Sequence, residues 1–340
     1  MPGQDATCKG YRRQAIYGSA AVSPSGYSGG VTEDIALEQV IFQLRALDPD
    51  GGRTAQVLRE TFDQIYDGQR TGRYSIEGLA KTERTHIGTL VEINMQRRFE
   101  YEDGQELDFS IAGHDVDAKY SMRLGGWMIP VEAQGKLCML LHADDVAAQW
   151  SLGVVRADLG ILSKPNRDQK RGILAPNLGR VRWLFRAEPL PENTILRLPA
   201  ADQAAIASFP AGTHRIAELM RRAEGQLVNR SSIEAAAQQK DSMKRVRANG
   251  GAADILASEG FLLLGGTRLA SQKVARSLML PVPVSGTFVP VRVTPAEPGC
   301  TVPTANAGGL LLRRWRTGDP VMDTTTITEW LNKSKALAGE

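Results

Sequence analysis

Cysteine is scarce in this chain. Only Cys8, Cys138 and Cys300 occur in 340 residues, far apart and odd in number. That argues against a disulfide framework or a zinc site and fits a reducing cytoplasm. Long apolar runs are missing too: none approaches the ~20 residues needed to cross a bilayer. The first thirty residues hold no apolar signal core and are rich in Gly, Ser and Ala, so 1–30 reads as a poorly ordered tail. Charge of one sign is also in short supply. With 41 Lys and Arg against 38 Asp and Glu, the net charge of +3 does not by itself call for a nucleic-acid partner.

What is present is enough apolar material, 42% of residues, for a substantial core, and a length that suggests two domains. Apolar residues three or four apart predict helices over Thr32–Leu47, Arg53–Tyr66 and Thr85–Phe99, the last with Thr85 as N-cap. The segment Gln69-Arg70-Thr71-Gly72-Arg73 has the composition of a phosphate-contacting loop and equally of a plain connector. The unbroken apolar run in Lys136–His142 predicts a strand buried on both faces, and Gln149–Arg156 a second strand.

The most informative stretch is Glu106 to Tyr120. Leu107, Phe109 and Ile111 alternate with polar residues, as do Val116, Ala118 and Tyr120, on either side of Ala112-Gly113. A two-residue turn there makes a hairpin in which Ile111 faces His114 and Asp108 faces Asp117. The acids and Lys119 then share the wet face. Carboxylates directly opposed at ~5 Å repel, and a hard divalent cation between them turns that cost into an asset. The same pattern also allows a plain surface ion pair of Glu106 with Lys119. Glu92 lies at the margin of the third helix's apolar face, either reaching toward the hairpin or facing solvent as an ordinary surface acid.

Between Arg156 and Arg186, eight basic residues (Arg156, Lys164, Arg167, Lys170, Arg171, Arg180, Arg182, Arg186) stand against Asp158 and Asp168. This local excess favours an anionic polymer as partner. The proline-bearing stretch 191–212 reads as a linker. Beyond it, helices over Thr213–Glu224, from Ser231 or Ser232 to Gln239, Asp241–Arg247 and Ala252–Ala257 precede a strand at Phe261–Leu264 and the turn Gly265-Gly266. That order suits a helix-turn-helix with a β wing, Lys244, Arg245 and Arg247 facing DNA, or else a helical bundle with a basic face. Strands within Val282–Arg292 and Leu310–Trp315 and a helix over Thr326–Ala338 complete the reading.

Several separated blocks resemble the NaeI type of restriction endonuclease. They include Tyr66-Asp67-Gly68-Gln69-Arg70-Thr71-Gly72-Arg73, Lys81-Thr82-Glu83, Gly88-Thr89-Leu90-Val91-Glu92-Ile93-Asn94, Ile111-Ala112-Gly113, Asp117 with Lys119, Met243-Lys244-Arg245-Val246-Arg247 and Leu280-Pro281-Val282-Pro283. The resemblance implies an α/β restriction-endonuclease-like nuclease domain, a mixed sheet flanked by helices, at 31–190. It implies a C-terminal winged-helix (helix-turn-helix) domain at 213–325 that binds a second DNA copy and activates cleavage, with 326–340 as terminal helix and tail. It implies Mg²⁺-dependent hydrolysis of double-stranded DNA at a GC-rich palindrome by a cytoplasmic homodimer, with a companion DNA methyltransferase.

Carried over position by position, the resemblance makes Glu92, Asp108 and Asp117 the catalytic acids and metal ligands, and Lys119 the catalytic amine. Ala118 stands where the family has a cysteine. Arg70, Arg73, Lys244, Arg245 and Arg247 are the candidate DNA contacts. The competing classes are a DNA-binding regulator that no longer cleaves and a nicking repair endonuclease of related fold.

Overall fold

The computed structural model describes residues 34–334 apart from 248 and 249. The expected tail 1–30 and the last part of the expected terminal helix lie outside the described residues. Three helices start the described chain: α1 (Ile35–Leu47), α2 (Gly52–Tyr66) and the single turn α3 (Gly68–Thr71). The long helix α4 (Lys81–Phe99) follows. It begins a turn earlier than expected, because the Glu83 carboxylate accepts the Ala80 N–H at 2.8 Å and closes the N-terminus there. Thr85 is therefore inside the helix, its hydroxyl donating to the Lys81 carbonyl, and is not the cap.

The strands β1 (Glu102–Asp103), β2 (Phe109–Ile111), β3 (His114–Ser121), β4 (Met128–Ile129), β5 (Leu137–Asp144), β6 (Gln149–Arg156), β7 (Arg171–Gly172) and β8 (Arg182–Pro189) come next. Six of them form one mixed sheet in the order β1-β2-β3-β5-β6-β8, with β3 and β5 parallel and the other pairs antiparallel. The central strands are buried on both faces. Val116, Ala118, Leu137, Met139 and Leu141 face a core shared with α1, α2 and α4. Cys138, Leu140 and Val155 face a second core closed by Trp127, Ile129, Ile161 and Val181. Trp127 is pinned there, its indole N–H donating to the Leu141 carbonyl at 2.6 Å. This is the mixed α/β sheet with flanking helices that the sequence led us to expect.

From 191 on the chain is mainly helical before it returns to sheet. The elements are α5 (Thr194–Arg197), α6 (Ala200–Ala207), α7 (Gly212–Arg222), β9 (Val228–Asn229), α8 (Arg230–Ala237), α9 (Ser242–Val246) and α10 (Ala252–Ala257). The stretch expected as a linker carries α5 and α6, with Ile195, Leu198 and Ile206 buried in the helical core. The cap of α8 is Asn229, whose side chain accepts the Ser232 N–H at 3.0 Å; neither Ser231 nor Ser232 plays that role.

After these come β10 (Phe261–Gly265), α11 (Leu269–Ser277), β11 (Thr287–Pro295), β12 (Thr304–Ala307), β13 (Leu310–Arg314) and α12 (Thr325–Lys333). The turn at Gly265-Gly266 does not lead straight into a partner strand. It opens α11, which buries Val274 and Ala275 against the sheet, and only then does β11 return antiparallel to β10. Among the described residues, no helix is long and apolar enough to cross a membrane.

Candidate functional site

The hairpin forms in the expected register. Ile111 lies opposite His114, Ser110 opposite Asp115 and Phe109 opposite Val116, a register that would set Asp108 against Asp117 if the ladder continued. Ala112 and Gly113 both have positive φ, 54° and 78°, as a type I′ turn needs. The regular strand stops at Phe109, however. Asp115 turns its carboxylate back to accept the N–H groups of Gln105 and Glu106 at 2.8 and 2.9 Å, which bends the segment before Asp108 away from the ladder. Leu107 consequently packs on the opposite core from Phe109 and Ile111, against the alternation expected. Those two amide bonds, chiefly the one from Gln105, hold the Asp115 carboxyl below its usual range.

Bending the chain there brings Asp108 onto β3. Its Oδ2 accepts the Ala118 N–H at 2.7 Å and lies 3.6 Å from Lys119 Nζ. Lys119 Nζ in turn donates to Asp117 Oδ1 at 2.7 Å and to the Ala118 carbonyl at 2.8 Å. One ammonium thus sits between two carboxylates. The alternative ion pair of Glu106 with Lys119 does not form; Glu106 meets Lys136 instead, at 3.2 Å. The methyl group of Ala118 is buried in the helix-side core, away from these polar groups.

Asp117 departs most from the sequence reading. Expected on a wet face, it is only 3% exposed. The reason is the parallel pairing of β3 with β5, which sets Asp117 level with Cys138 and puts the Cys138 Sγ 3.9 Å from its Oδ2. Burial pushes the Asp117 carboxyl up from 3.8 to about 6, against the downward pull of Lys119. Burial pulls the Lys119 ammonium down, but Asp117 and then Asp108 outweigh it and hold it above its usual value. Glu92, half-buried on α4, is also raised, first by desolvation and then by the Asp108 charge, with Asp117 adding to it and Lys119 opposing. Four groups from one helix and a hairpin therefore share one electrostatic neighbourhood.

The donor set suits a hard divalent cation: carboxylate oxygens of Asp108 and Asp117 already converge on one positive charge. Among the described residues, though, no three His, Cys, Asp or Glu side chains draw close enough to hold a metal ion, so Glu92 stands back from the pair.

The candidate DNA contacts are placed less uniformly. Arg70 is largely exposed beside Asp67. Arg73 is engaged within the fold, donating to both Glu83 oxygens at 2.9 and 3.0 Å. Lys244 and Arg245 are carried by α9, with Arg245 3.3 Å from Asp241. Arg247 lines a cavity of about 360 Å³ together with Arg230 and Arg268. Sequence reasoning missed Cys138 and the loop-holding role of Asp115, because both act through pairings that no local pattern records.

With this geometry established, comparison with known proteins decides the family. The model of the family described as restriction endonuclease NaeI matches residues 38–323. The type II restriction enzyme NaeI of Lentzea aerocolonigenes is 44% identical over 304 residues, covering 86% of this chain and 95% of that enzyme. The chain belongs to the NaeI restriction endonuclease family. Its reaction class follows from that membership: it is a type II restriction endonuclease, a hydrolase that cuts DNA at specific sites. The hairpin-and-helix cluster is the part of this family member whose chemistry suits such a cut.

Proposed function

We propose that the chain hydrolyses double-stranded DNA with Glu92, Asp108, Asp117 and Lys119 as its catalytic groups. The observation that carries this reading is the short, shared contact of Lys119 with Asp117 and Asp108 on a partly open hairpin beside Glu92. Asp108 and Asp117 would hold Mg²⁺, with Glu92 the acid available to complete its surroundings. A bound divalent ion supplies a water of lowered pKa and neutralises charge gathering on the attacked phosphate. The remaining work falls to the protein's own side chains. Lys119, kept protonated by its two carboxylate neighbours, orients the attacking water and offsets charge on the phosphate oxygens. The Ala118 N–H fixes Asp108, and Cys138 borders Asp117 on its dry side.

We also infer that 31–190 works as the nuclease domain and that 213–325 works as a winged-helix domain for an effector copy of the site. The exposed Lys244, Arg245 and Arg247 support the second assignment. The reading includes a homodimer, a GC-rich palindromic target and a companion methyltransferase that protects host DNA.

The test is plasmid cleavage with Mg²⁺. Wild-type protein should give discrete double-strand fragments, and Asp117→Ala and Lys119→Ala should give none while still binding DNA. Cleavage by both variants would remove the catalytic assignment. For the effector role, a plasmid with one site should be cut slowly and then faster when short duplex bearing the site is added. Equal rates would remove that role. Coupling of this kind is reciprocal, so bound target should tighten effector binding.

A further inference from the structure

Gly88 sits in the interior of α4 with open space where a side chain would stand. A β-carbon built on it meets no atom within 4 Å. Other glycines at helix ends are different. A β-carbon on Gly68 would come within 2.8 Å of the Ala235 β-carbon, and one on Gly212 within 2.5 Å of the Ala237 carbonyl oxygen. Those positions exclude a side chain because another part of the chain is too near. Gly88 has neither such a neighbour nor a left-handed φ. Apart from proline, glycine is the poorest helix former, and with no side chain it leaves the helix backbone open to close approach at that point.

Its position says what approaches. Residues four apart share a helix face, so Gly88 lies one turn before Glu92 and one turn after Arg84, flanked by Lys81, Thr85 and Thr89. Lys81, Thr85 and Thr89 are exposed, and together with Thr82 and His86 they line an open cavity of about 550 Å³. Its side chains offer an ammonium, hydroxyls and an imidazole, with no carboxylate among them. A lining of this kind suits a phosphodiester backbone. The face runs directly to Glu92, which feels Asp108, Lys119 and Asp117.

We propose that this face of α4 carries the sugar–phosphate backbone of the strand being cut, and that Gly88 is bare so the backbone can rest against the helix on its way to Lys119. The inference depends on the catalytic assignment of the four residues above, and its test separates the two. Gly88→Ala adds a methyl group into space empty in the free protein, so its thermal midpoint should equal or exceed that of wild type. On DNA, the same methyl displaces the backbone by about 1 Å, and a misplacement of that size costs about a hundredfold in cleavage rate. Lys81→Ala should lower the salt dependence of DNA binding by about one unit of slope.

Lys119→Ala is measured alongside. If Gly88→Ala cuts as fast as wild type while Lys119→Ala is dead, the backbone track is wrong and the catalytic assignment stands. If Lys119→Ala cuts normally, the catalytic assignment fails and takes the track with it. A lowered thermal midpoint for Gly88→Ala would show that the fold itself needs the glycine, which also overturns the inference.

Discussion

Two buried charge clusters lie in the same α/β half, and they are built on opposite principles. One joins α2 to the end of β5. Arg59 and Asp145 are 3% and 6% exposed, and Arg59 donates to both Asp145 oxygens, at 2.5 and 3.3 Å, and to Asp63 at 3.0 Å. The Tyr66 hydroxyl adds a bond to Asp145 at 2.7 Å. Burial alone would pull the Arg59 guanidinium down, but Asp63 and then Asp145 outweigh it and lock in the charge. Burial and then Asp145 keep the Tyr66 phenol protonated. Each partner has its bonds, and the cluster is a fastener.

The other cluster, Asp117 with Lys119 and Asp108, is equally desolvated at Asp117 but less completely bonded. Asp117 has one strong bond, from Lys119, and on its other oxygen only a long thiol contact. A buried carboxylate left short of partners stays costly as a charge, and its value rises to about 6 as a result. Full satisfaction of buried charge holds elements together, whereas partial satisfaction at the proposed catalytic cluster leaves a carboxylate that an incoming cation would stabilise.

Substitutions in both clusters, with stability and cleavage read separately, distinguish the two roles. Asp117→Asn should cut the cleavage rate by about a thousandfold or more, with the thermal midpoint held or raised. Retained cleavage, or loss of activity only through unfolding, would make the second cluster another fastener. In the first cluster, Arg59→Ala or Asp145→Ala strands a buried charge and should cost about 3–5 kcal/mol of stability, measured by denaturant unfolding. The paired change Arg59→Met with Asp145→Leu should recover much of that loss, since no buried charge is then left alone.

A smaller effect sharpens the contrast through pH. Asp117 is an acid whose folded-state value is raised from 3.8 to about 6. Its contribution to folding is therefore most favourable below about pH 4 and is lost as pH rises through about 6. Divalent-ion binding runs the other way, because the ion takes the ionised carboxylate. Affinity for Mg²⁺ or Ca²⁺ by calorimetry should fall up to about tenfold per pH unit below 6 and level off above it. Affinity unchanged from pH 5 to 8 would mean that Asp117 is not a ligand.

Much of the site was legible because the hairpin is a local object. Alternation around Ala112-Gly113 sets the register of Phe109–Ile111 against residues 114–116 without help from the rest of the chain, and Asp108 and Asp117 meet at Lys119 just beyond that ladder. The helices α1 and α2 and the strands β5 and β6 were equally legible from their apolar periods, and β6 has the bounds expected. Local cues failed where two of them competed. Thr85 looked like a cap until Glu83 closed the helix four residues earlier, and Ser231 or Ser232 until Asn229 did so. β12 and α11 were missed because their apolar residues are completed by partners distant in sequence.

By itself, then, the amino-acid order determined that acids and a lysine would gather at a hairpin, since contacts within about ten residues depend on turn chemistry and side-chain alternation alone. Tertiary structure decided what that gathering is worth. Parallel pairing of β3 with β5 places Cys138 beside Asp117 and buries the carboxylate, and the packing of α4 against the sheet brings Glu92 into its field. Desolvation depends on what covers a group from every side, and those covering residues come from segments that no local pattern can bring together.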